Sequence, residues 1–150
     1  MIPMAHLKQI LHISPRLLSA VRDHARRDYP HEACGFLFGQ LRDNAITVFN
    51  VMPVVNAAPV ETRTRAYRID PRDWMRAERQ ALQQGLMIIG IYHSHPDGLP
   101  VPSQTDIDAL WPNLIYLITP AGSRETDACT AWTIDEDSGE VVRWAINVTE

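Results

Sequence analysis

The chain has 150 residues, a formal net charge of −4 at pH 7 and two cysteines. That length suits one domain with a sizeable core, so we predict a single domain over residues 1–150. The acidic balance argues against nucleic acid or an anionic membrane surface as a partner, and two cysteines are too few for a disulfide framework.

No apolar run approaches the roughly 20 residues that a membrane span needs. Residues 1–13 lack the basic start and long apolar core of a secretory signal peptide. We therefore expect a cytoplasmic protein whose two thiols stay reduced.

Three helices are predicted from the residues at their N-termini. Ser14-Pro15 places a serine N-cap before a proline at the first helical position, and Asp70-Pro71 repeats this pattern. The first helix ends at Tyr29-Pro30, because the residue before a proline avoids helical angles. A short third helix is predicted over residues 104–110, with Ser103 as its N-cap.

Eight segments predict strands, because each alternates apolar and polar residues or forms a short apolar run. They are residues 6–13, 33–39, 45–52, 65–69, 86–92, 113–119, 128–134 and 140–148. A long loop is predicted over residues 53–64, and turns over residues 120–127 and 135–139. Together with the helices, this order predicts an α/β (α+β) fold, in which one mixed sheet packs against flanking helices.

The residues with the clearest chemistry follow the apolar run at residues 86–92. Side chains at i and i+2 of an extended chain point the same way, so His93 and His95 should project together while Ser94 faces away. Two imidazoles on one side suit Zn²⁺, which binds nitrogen at about 2.0–2.1 Å. A third ligand must come from elsewhere, and Asp106 is the nearest plausible one.

Asp106 also fits a second role. Ser103 and Asp106 have the spacing of a capping box at a helix N-terminus. If Asp106 were only a capping partner, its carboxylate would turn back toward the Ser103 backbone N–H. A metal ligand would instead turn toward the histidines, and the sequence leaves both roles open.

His93-Ser94-His95, seven residues, Ser103, two residues and Asp106 together resemble the signature of the JAMM (MPN-plus, Mov34/PAD-1) zinc metalloproteases. That family also has an upstream glutamate. By itself, a glutamate beside an apolar run is typical of the surface at a strand end, but Glu32 in Pro-His-Glu-Ala-Cys-Gly stands in a similar context. The resemblance implies a sandwich fold related in shape to the cytidine deaminases.

The resemblance also implies a role for each residue of the signature. His93, His95 and Asp106 would hold one zinc ion per chain and leave its fourth position to water. Glu32 would be the general base that later protonates the leaving amine. Ser103 would donate a hydrogen bond to the oxyanion of the tetrahedral intermediate.

The implied reaction is hydrolysis of a peptide or isopeptide bond after the C-terminal Gly-Gly of a ubiquitin-fold protein. The short chain has no obvious room for the insertions of eukaryotic deubiquitinases, and Ile91 stands where many of them have tryptophan. The segment Glu-Ala-Cys-Gly resembles instead the stand-alone bacterial members, some of which trim small sulfur-carrier proteins. We therefore expect a sulfur carrier with a Gly-Gly tail as the partner, whereas nothing in the sequence indicates the oligomeric state.

Other functions compete with this one. A cysteine hydrolase would use Cys34 with His31, although a cysteine at the start of an apolar strand is usually buried and structural. Gly35 stands where a His-Glu-x-x-His metalloprotease needs its second histidine, and a deaminase would need His-x-Glu and Cys-x-x-Cys ligands. The non-enzymatic alternative is an MPN-type scaffold that only binds a ubiquitin-like partner, but every expected ligand position is filled, which favours catalysis.

Overall fold

Seven strands and three α-helices make up the part of the chain that the computed structural model describes, residues 2–121 and 128–149. The strands are β1 (Ile10–Ile13), β2 (Cys34–Arg42), β3 (Ala45–Val54), β4 (Met87–His95), β5 (Ile115–Pro120), β6 (Thr130–Ile134) and β7 (Val141–Val148). The helices are α1 (Pro15–Asp28), α2 (Pro71–Gln83) and α3 (Gln104–Ala109), and a short 3₁₀ helix spans Val60–Thr62. None of these helices is long and apolar enough to cross a membrane.

The strands form one sheet in the order β1-β3-β2-β4-β5-β6-β7, and β7 pairs with β1, so that the sheet closes into a barrel. Pairing is parallel between β1 and β3, β1 and β7, and β4 and β5, and antiparallel elsewhere. The predicted mixed sheet with flanking helices is therefore confirmed. The sequence did not predict that the sheet closes into a barrel, because periodicity reveals which face of a strand is buried but not which strand lies beside it.

Two of the helices begin where their caps predict. The Ser14 Oγ accepts the Leu17 N–H at 3.2 Å, and the Asp70 Oδ1 accepts the Arg72 N–H at 2.8 Å. Each cap precedes a proline that is the first helical residue. These contacts satisfy donors that a helix N-terminus otherwise leaves without a partner.

Two predicted strands differ from the structure. The first is shorter than predicted and begins only at Ile10. Residues 65–69 are not a strand, since they lie in the loop between β3 and α2. Within that loop the Arg68 N–H donates to the Asn56 Oδ1 at 3.1 Å and the Ala57 N–H donates to the Arg68 carbonyl at 2.8 Å, so these backbone groups have local partners instead of a neighbouring strand.

The two predicted turns have different outcomes. The Asp135 Oδ1 accepts the backbone N–H groups of Asp137 and Ser138, and Gly139 has a φ of 72°, so the turn over residues 135–139 is confirmed. Most of the other predicted turn, residues 122–127 of 120–127, lies outside the described residues.

Apolar side chains pack on both faces of the sheet. One cluster packs beneath α1 and includes Leu37 and Tyr92, whereas the other packs beneath α2 and includes Phe36 and Ile91. Neighbouring residues of β2 and β4 thus enter opposite clusters, as the alternation of a strand requires. The end of β4 that follows Ile91 carries the two histidines.

Candidate metal centre

The end of β4 brings His93 and His95 together as the sequence predicts. Both side chains are buried, and their Nε2 atoms lie 3.2 Å apart. Ser94 faces the other way, where its Oγ accepts the backbone N–H of Ala33 at 2.8 Å. Because Ala33 follows Glu32 in the chain, this hydrogen bond also holds the segment with the glutamate against β4.

The carboxylate of Asp106 caps α3 and also faces the two histidines. Its Oδ2 lies 3.2 Å from the His93 Nε2 and 2.9 Å from the His95 Nε2. The same Oδ2 accepts the Ser103 N–H at 2.9 Å, and the Ser103 Oγ accepts the Asp106 N–H at 3.0 Å. The capping box at the start of α3 therefore orients the carboxylate toward the imidazoles.

Two contacts orient the imidazole rings. The His95 Nδ1 lies 2.8 Å from the Leu99 carbonyl, which can only accept, so Nδ1 carries the hydrogen and a neutral ring has its Nε2 lone pair facing the cluster. The His93 ring stacks on Tyr67, with a centroid distance of 4.6 Å and an interplanar angle of 25°. Leu99 and Tyr67 therefore support the site, although no sequence signal marked them.

The loop between β4 and α3 is held at three points. Besides the contact between His95 and Leu99, the Thr130 Oγ1 donates to the Pro100 carbonyl, and the Tyr29 Oη donates to the Asp97 Oδ1 at 2.7 Å. These contacts join the loop to β6 and to the end of α1. Because these contacts already restrain the loop, little further conformational entropy is lost when Asp106 is held beside the histidines.

Glu32 is the fourth member of the cluster. It is only 4% exposed, and one of its oxygens lies within 4.8 Å of a ligand atom of each of His93, His95 and Asp106. Its Oε1 makes no hydrogen bond within the described residues. Burying a carboxylate oxygen that has no hydrogen-bond partner lowers the stability of the folded state. The presence of such an oxygen here therefore points to a functional role for Glu32.

Burial and neighbouring charges shift the pKa of each acid and base in the cluster. Burial raises the pKa of Glu32 to about 7; nearby His95 opposes this shift and nearby Asp106 adds to it. Burial alone would also raise the pKa of Asp106, but the hydrogen bonds with His93 and His95 hold it well below its usual range. Burial lowers the pKa of His93, whereas for His95 the contacts with Asp106 and the Leu99 carbonyl overcome burial and raise it.

The donor set fits a divalent metal ion. Ligands of a tetrahedral ion with bonds of about 2.0–2.1 Å lie about 3.3 Å from one another. The three distances among the His93 Nε2, the His95 Nε2 and the Asp106 Oδ2 are 3.2, 3.2 and 2.9 Å. Two imidazole nitrogens and a carboxylate oxygen that converge in this way leave the fourth position free for another ligand, with the Glu32 carboxylate close by.

On the opposite face of β4, Tyr92 fixes the strand just before His93. The His24 Nε2 lies 3.1 Å from the Asp28 carboxylate, so Nε2 carries the hydrogen and Nδ1 accepts the Tyr92 hydroxyl at 2.7 Å. Gly35 lies opposite Tyr92 in the sheet, and a Cβ there would be 2.4 Å from the Tyr92 ring. Glycine is therefore required beside the segment that carries Glu32.

Comparison with known proteins identifies the family. Residues 14–135 match the family described as prokaryotic homologs of the JAB domain. The chain belongs to this family. The predicted membership of the JAMM family is therefore confirmed, and the buried cluster of two histidines and two carboxylates is the candidate metal site of this JAB-domain protein.

Several relatives of this JAB-domain chain are named as enzymes. It is 40% identical over 121 residues to the desampylase of Haloferax volcanii, covering 80% of this chain and 83% of the relative. It is 30% identical over 142 residues to the CysO-cysteine peptidase of Mycobacterium tuberculosis, covering 94% and 92%. A solved structure from Desulfitobacterium hafniense superposes with a TM-score of 0.81 at 28% identity, covering 93% of each chain. The prediction of a JAMM-type peptidase is thereby confirmed.

The alternative of a cysteine hydrolase conflicts with the structure. Cys34 is fully buried, and burial together with the nearby carboxylates of Asp28 and Glu32 raises the pKa of its thiol to about 12. A thiol of this kind is almost entirely protonated at neutral pH, whereas the nucleophile must be a thiolate. Cys34 is therefore a packing residue of β2.

The raised pKa of Glu32 predicts that the metal-free protein loses stability as the pH rises. The folded state keeps the Glu32 proton up to about pH 7, whereas the unfolded state releases it near 4.5, so this contribution is complete below pH 4.5 and is lost as the pH rises through 7. The loss should be on the order of 3 kcal/mol. Glu32→Gln cannot titrate, so above pH 7 it should gain about this much stability relative to wild type.

Urea unfolding of metal-stripped wild type and Glu32→Gln at pH 4.5 and pH 8 measures this difference directly. The two chains share every other titratable group, so the pH-dependent part of the difference reports the titration of Glu32 together with its coupling to His95 and Asp106. A difference in unfolding free energy that is the same at both pH values would contradict the prediction.

Proposed function

We propose that the chain is a zinc-dependent peptidase that cleaves the bond after the C-terminal Gly-Gly of a ubiquitin-fold protein, in particular a small sulfur-carrier protein. The observation that carries this proposal is the buried Glu32 carboxylate beside three converging donor atoms. The relatives named desampylase and CysO-cysteine peptidase support the choice of substrate.

The proposed ligands are His93, His95 and Asp106, and zinc is the metal that this nitrogen and oxygen set favours for hydrolysis. When bound, zinc would lower the pKa of a coordinated water toward about 7 and polarise the carbonyl of the scissile bond. The chain contributes the rest. The Leu99 carbonyl and the Ser103 N–H orient the His95 ring and the Asp106 carboxylate before any ligand arrives.

Glu32 is the proposed general base and acid. Its carboxylate would take the proton from the attacking water and then deliver it to the leaving amine. In the metal-free protein, burial raises the pKa of Glu32 to about 7, and a cation bound nearby would favour the carboxylate form that accepts a proton. The unpartnered Oε1 leaves a lone pair available for this transfer.

Ser103 is the proposed oxyanion donor. Its Oγ already accepts the Asp106 N–H, so the hydroxyl hydrogen remains free to donate. Its side chain is exposed at the start of α3, where a substrate carbonyl can reach it. The loss of one such donor typically raises the activation barrier of the reaction by roughly 2.7–4 kcal/mol.

We further propose that residues 1–150 form one cytoplasmic domain. Strands near the two ends of the chain, β1 and β7, pair with each other to close the barrel. Both cysteines, Cys34 and Cys129, are buried and free, which suits a reducing compartment.

The experiment that tests the proposed function uses zinc-loaded protein and a sulfur carrier with a C-terminal extension after Gly-Gly. Mass spectrometry should show a carrier that ends at Gly-Gly together with the released extension. A carrier in which the last glycine is replaced by valine is the matched control and should stay intact. An unchanged mass of the Gly-Gly carrier, with zinc bound and the carrier retained in a pull-down, would favour the scaffold alternative.

A further inference from the structure

The backbone of Glu32 lies in an irregular segment between α1 and β2, so no regular secondary structure fixes it. Its N–H donates to the Arg63 carbonyl at 2.7 Å, and its own carbonyl accepts the Asn56 Nδ2 at 3.0 Å. Both partners belong to the loop between β3 and α2. This loop therefore holds the backbone of the proposed base from both sides.

A single side chain organises that loop. Asn56 is 5% exposed, and its Nδ2 donates to the carbonyls of Glu32 and Ala66, each at 3.0 Å. Its Oδ1 accepts the N–H groups of Ala58 at 3.0 Å and Arg68 at 3.1 Å. These four contacts use both donors and both lone pairs of the amide, so any substitution leaves buried backbone groups without partners.

The same amide also reaches the metal ligands indirectly. Ala66 and Arg68, which it contacts, flank Tyr67 in the chain. The Tyr67 ring stacks on the ring of His93. The amide of Asn56 thus joins the backbone of Glu32 to the residue that supports a ligand ring.

We propose that Asn56 is a positioning residue for the reaction, one that sets the place of the Glu32 carboxylate relative to His93, His95 and Asp106. The inference rests on the proposed function, in which Glu32 moves the proton. Asn56 itself touches neither the substrate nor the reacting atoms. Its effect is on the distance over which Glu32 transfers the proton, and a displacement of about 1 Å can cost on the order of 100-fold in rate.

Asn56→Asp is the sharpest variant, because it keeps the shape and the acceptor for Ala58 and Arg68 but can donate to at most one of the Glu32 and Ala66 carbonyls, and only when it is protonated. Asn56→Ser is a second, uncharged variant for the case that the aspartate does not fold. The matched control is Thr133→Val. Thr133 is also buried and accepts one hydrogen bond, from the Trp144 Nε1 at 2.9 Å. It lies on β6, and this hydrogen bond involves no residue of the site.

In folded Asn56 variants we expect kcat to fall about 10- to 100-fold, with KM within about 3-fold of wild type and one zinc bound per chain. Thr133→Val should leave kcat unchanged. Combined with Glu32→Gln, an Asn56 variant should lower the residual rate by less than 2-fold, since no base remains to be positioned. Amide hydrogen exchange should be faster at Glu32 in the Asn56 variants than in Thr133→Val.

The outcomes separate this inference from the function on which it rests. If Glu32→Gln keeps the wild-type rate, the proposed role of Glu32 fails. If Glu32→Gln is inactive but the folded Asn56 variants keep the wild-type kcat and exchange rate, only the positioning role of Asn56 fails. The positioning role of Asn56 would also be contradicted if the Asn56 variants lost zinc, or if kcat fell as much in Thr133→Val as in the Asn56 variants.

Discussion

Glu32→Gln should bind zinc as wild type does and lose turnover. Glutamine has nearly the same shape as glutamate and stays neutral, so the packing around this 4% exposed side chain is preserved. It cannot accept a proton from water and return it to an amine. General acid–base catalysis contributes about 10²- to 10⁴-fold, and we expect kcat to fall by that factor.

The expected fall is in kcat and not in KM, because Glu32 is buried and its contribution is to proton transfer. The measurement is the steady-state rate on a carrier with an extended tail, together with the zinc content after dialysis. Glu140→Gln is the matched control, since Glu140 is exposed and immediately precedes β7. Turnover by Glu32→Gln equal to that of Glu140→Gln would contradict the assignment of the base.

The features that the sequence predicted correctly are mostly local ones. Ser14 and Asp70 cap helices because a cap requires only a side chain and a backbone N–H two or three residues away. His93 and His95 lie on one face because a strand repeats every two residues. Such contacts depend little on the rest of the fold, so pattern and spacing predict them.

The features that the sequence did not predict depend on contacts between distant segments. Residues 65–69 have the alternation of a strand, but the Asn56 side chain takes the N–H of Arg68 and the carbonyl of Ala66. The closure of the barrel requires β1 to pair with β7, from opposite ends of the chain. Periodicity carries no information about either contact.

Asp106 and Glu32 lie between these two cases. The spacing from Ser103 to Asp106 predicted a capping box, and the structure shows that the capped carboxylate also faces the histidines, which only the tertiary fold decides. Glu32 by itself has the pattern of a surface residue. Its relation to the histidines came from the family resemblance, and its backbone is held by the loop between β3 and α2, a contact that periodicity does not reveal.

Removal of one proposed ligand should have the second large effect. In His95→Ala the zinc site would keep one imidazole and one carboxylate, and the affinity for zinc should fall by more than the roughly 10- to 100-fold typical of a lost outer partner. Activity should be lost with the metal. His12→Ala is the matched control, because the His12 imidazole is hydrogen-bonded to the Asn147 side chain on the far strands β1 and β7.

A thermal measurement tests the same assignment without activity. A ligand that binds only the folded state at 1,000 times its Kd stabilises it by about 4 kcal/mol, which for a chain of this length corresponds to a rise in Tm of about 10 °C. Chelation should therefore lower the Tm of wild type and of His12→Ala by this amount and leave that of His95→Ala nearly unchanged. Equal shifts in His95→Ala and His12→Ala would mean that the zinc is held elsewhere, because His95 could not then be one of its ligands.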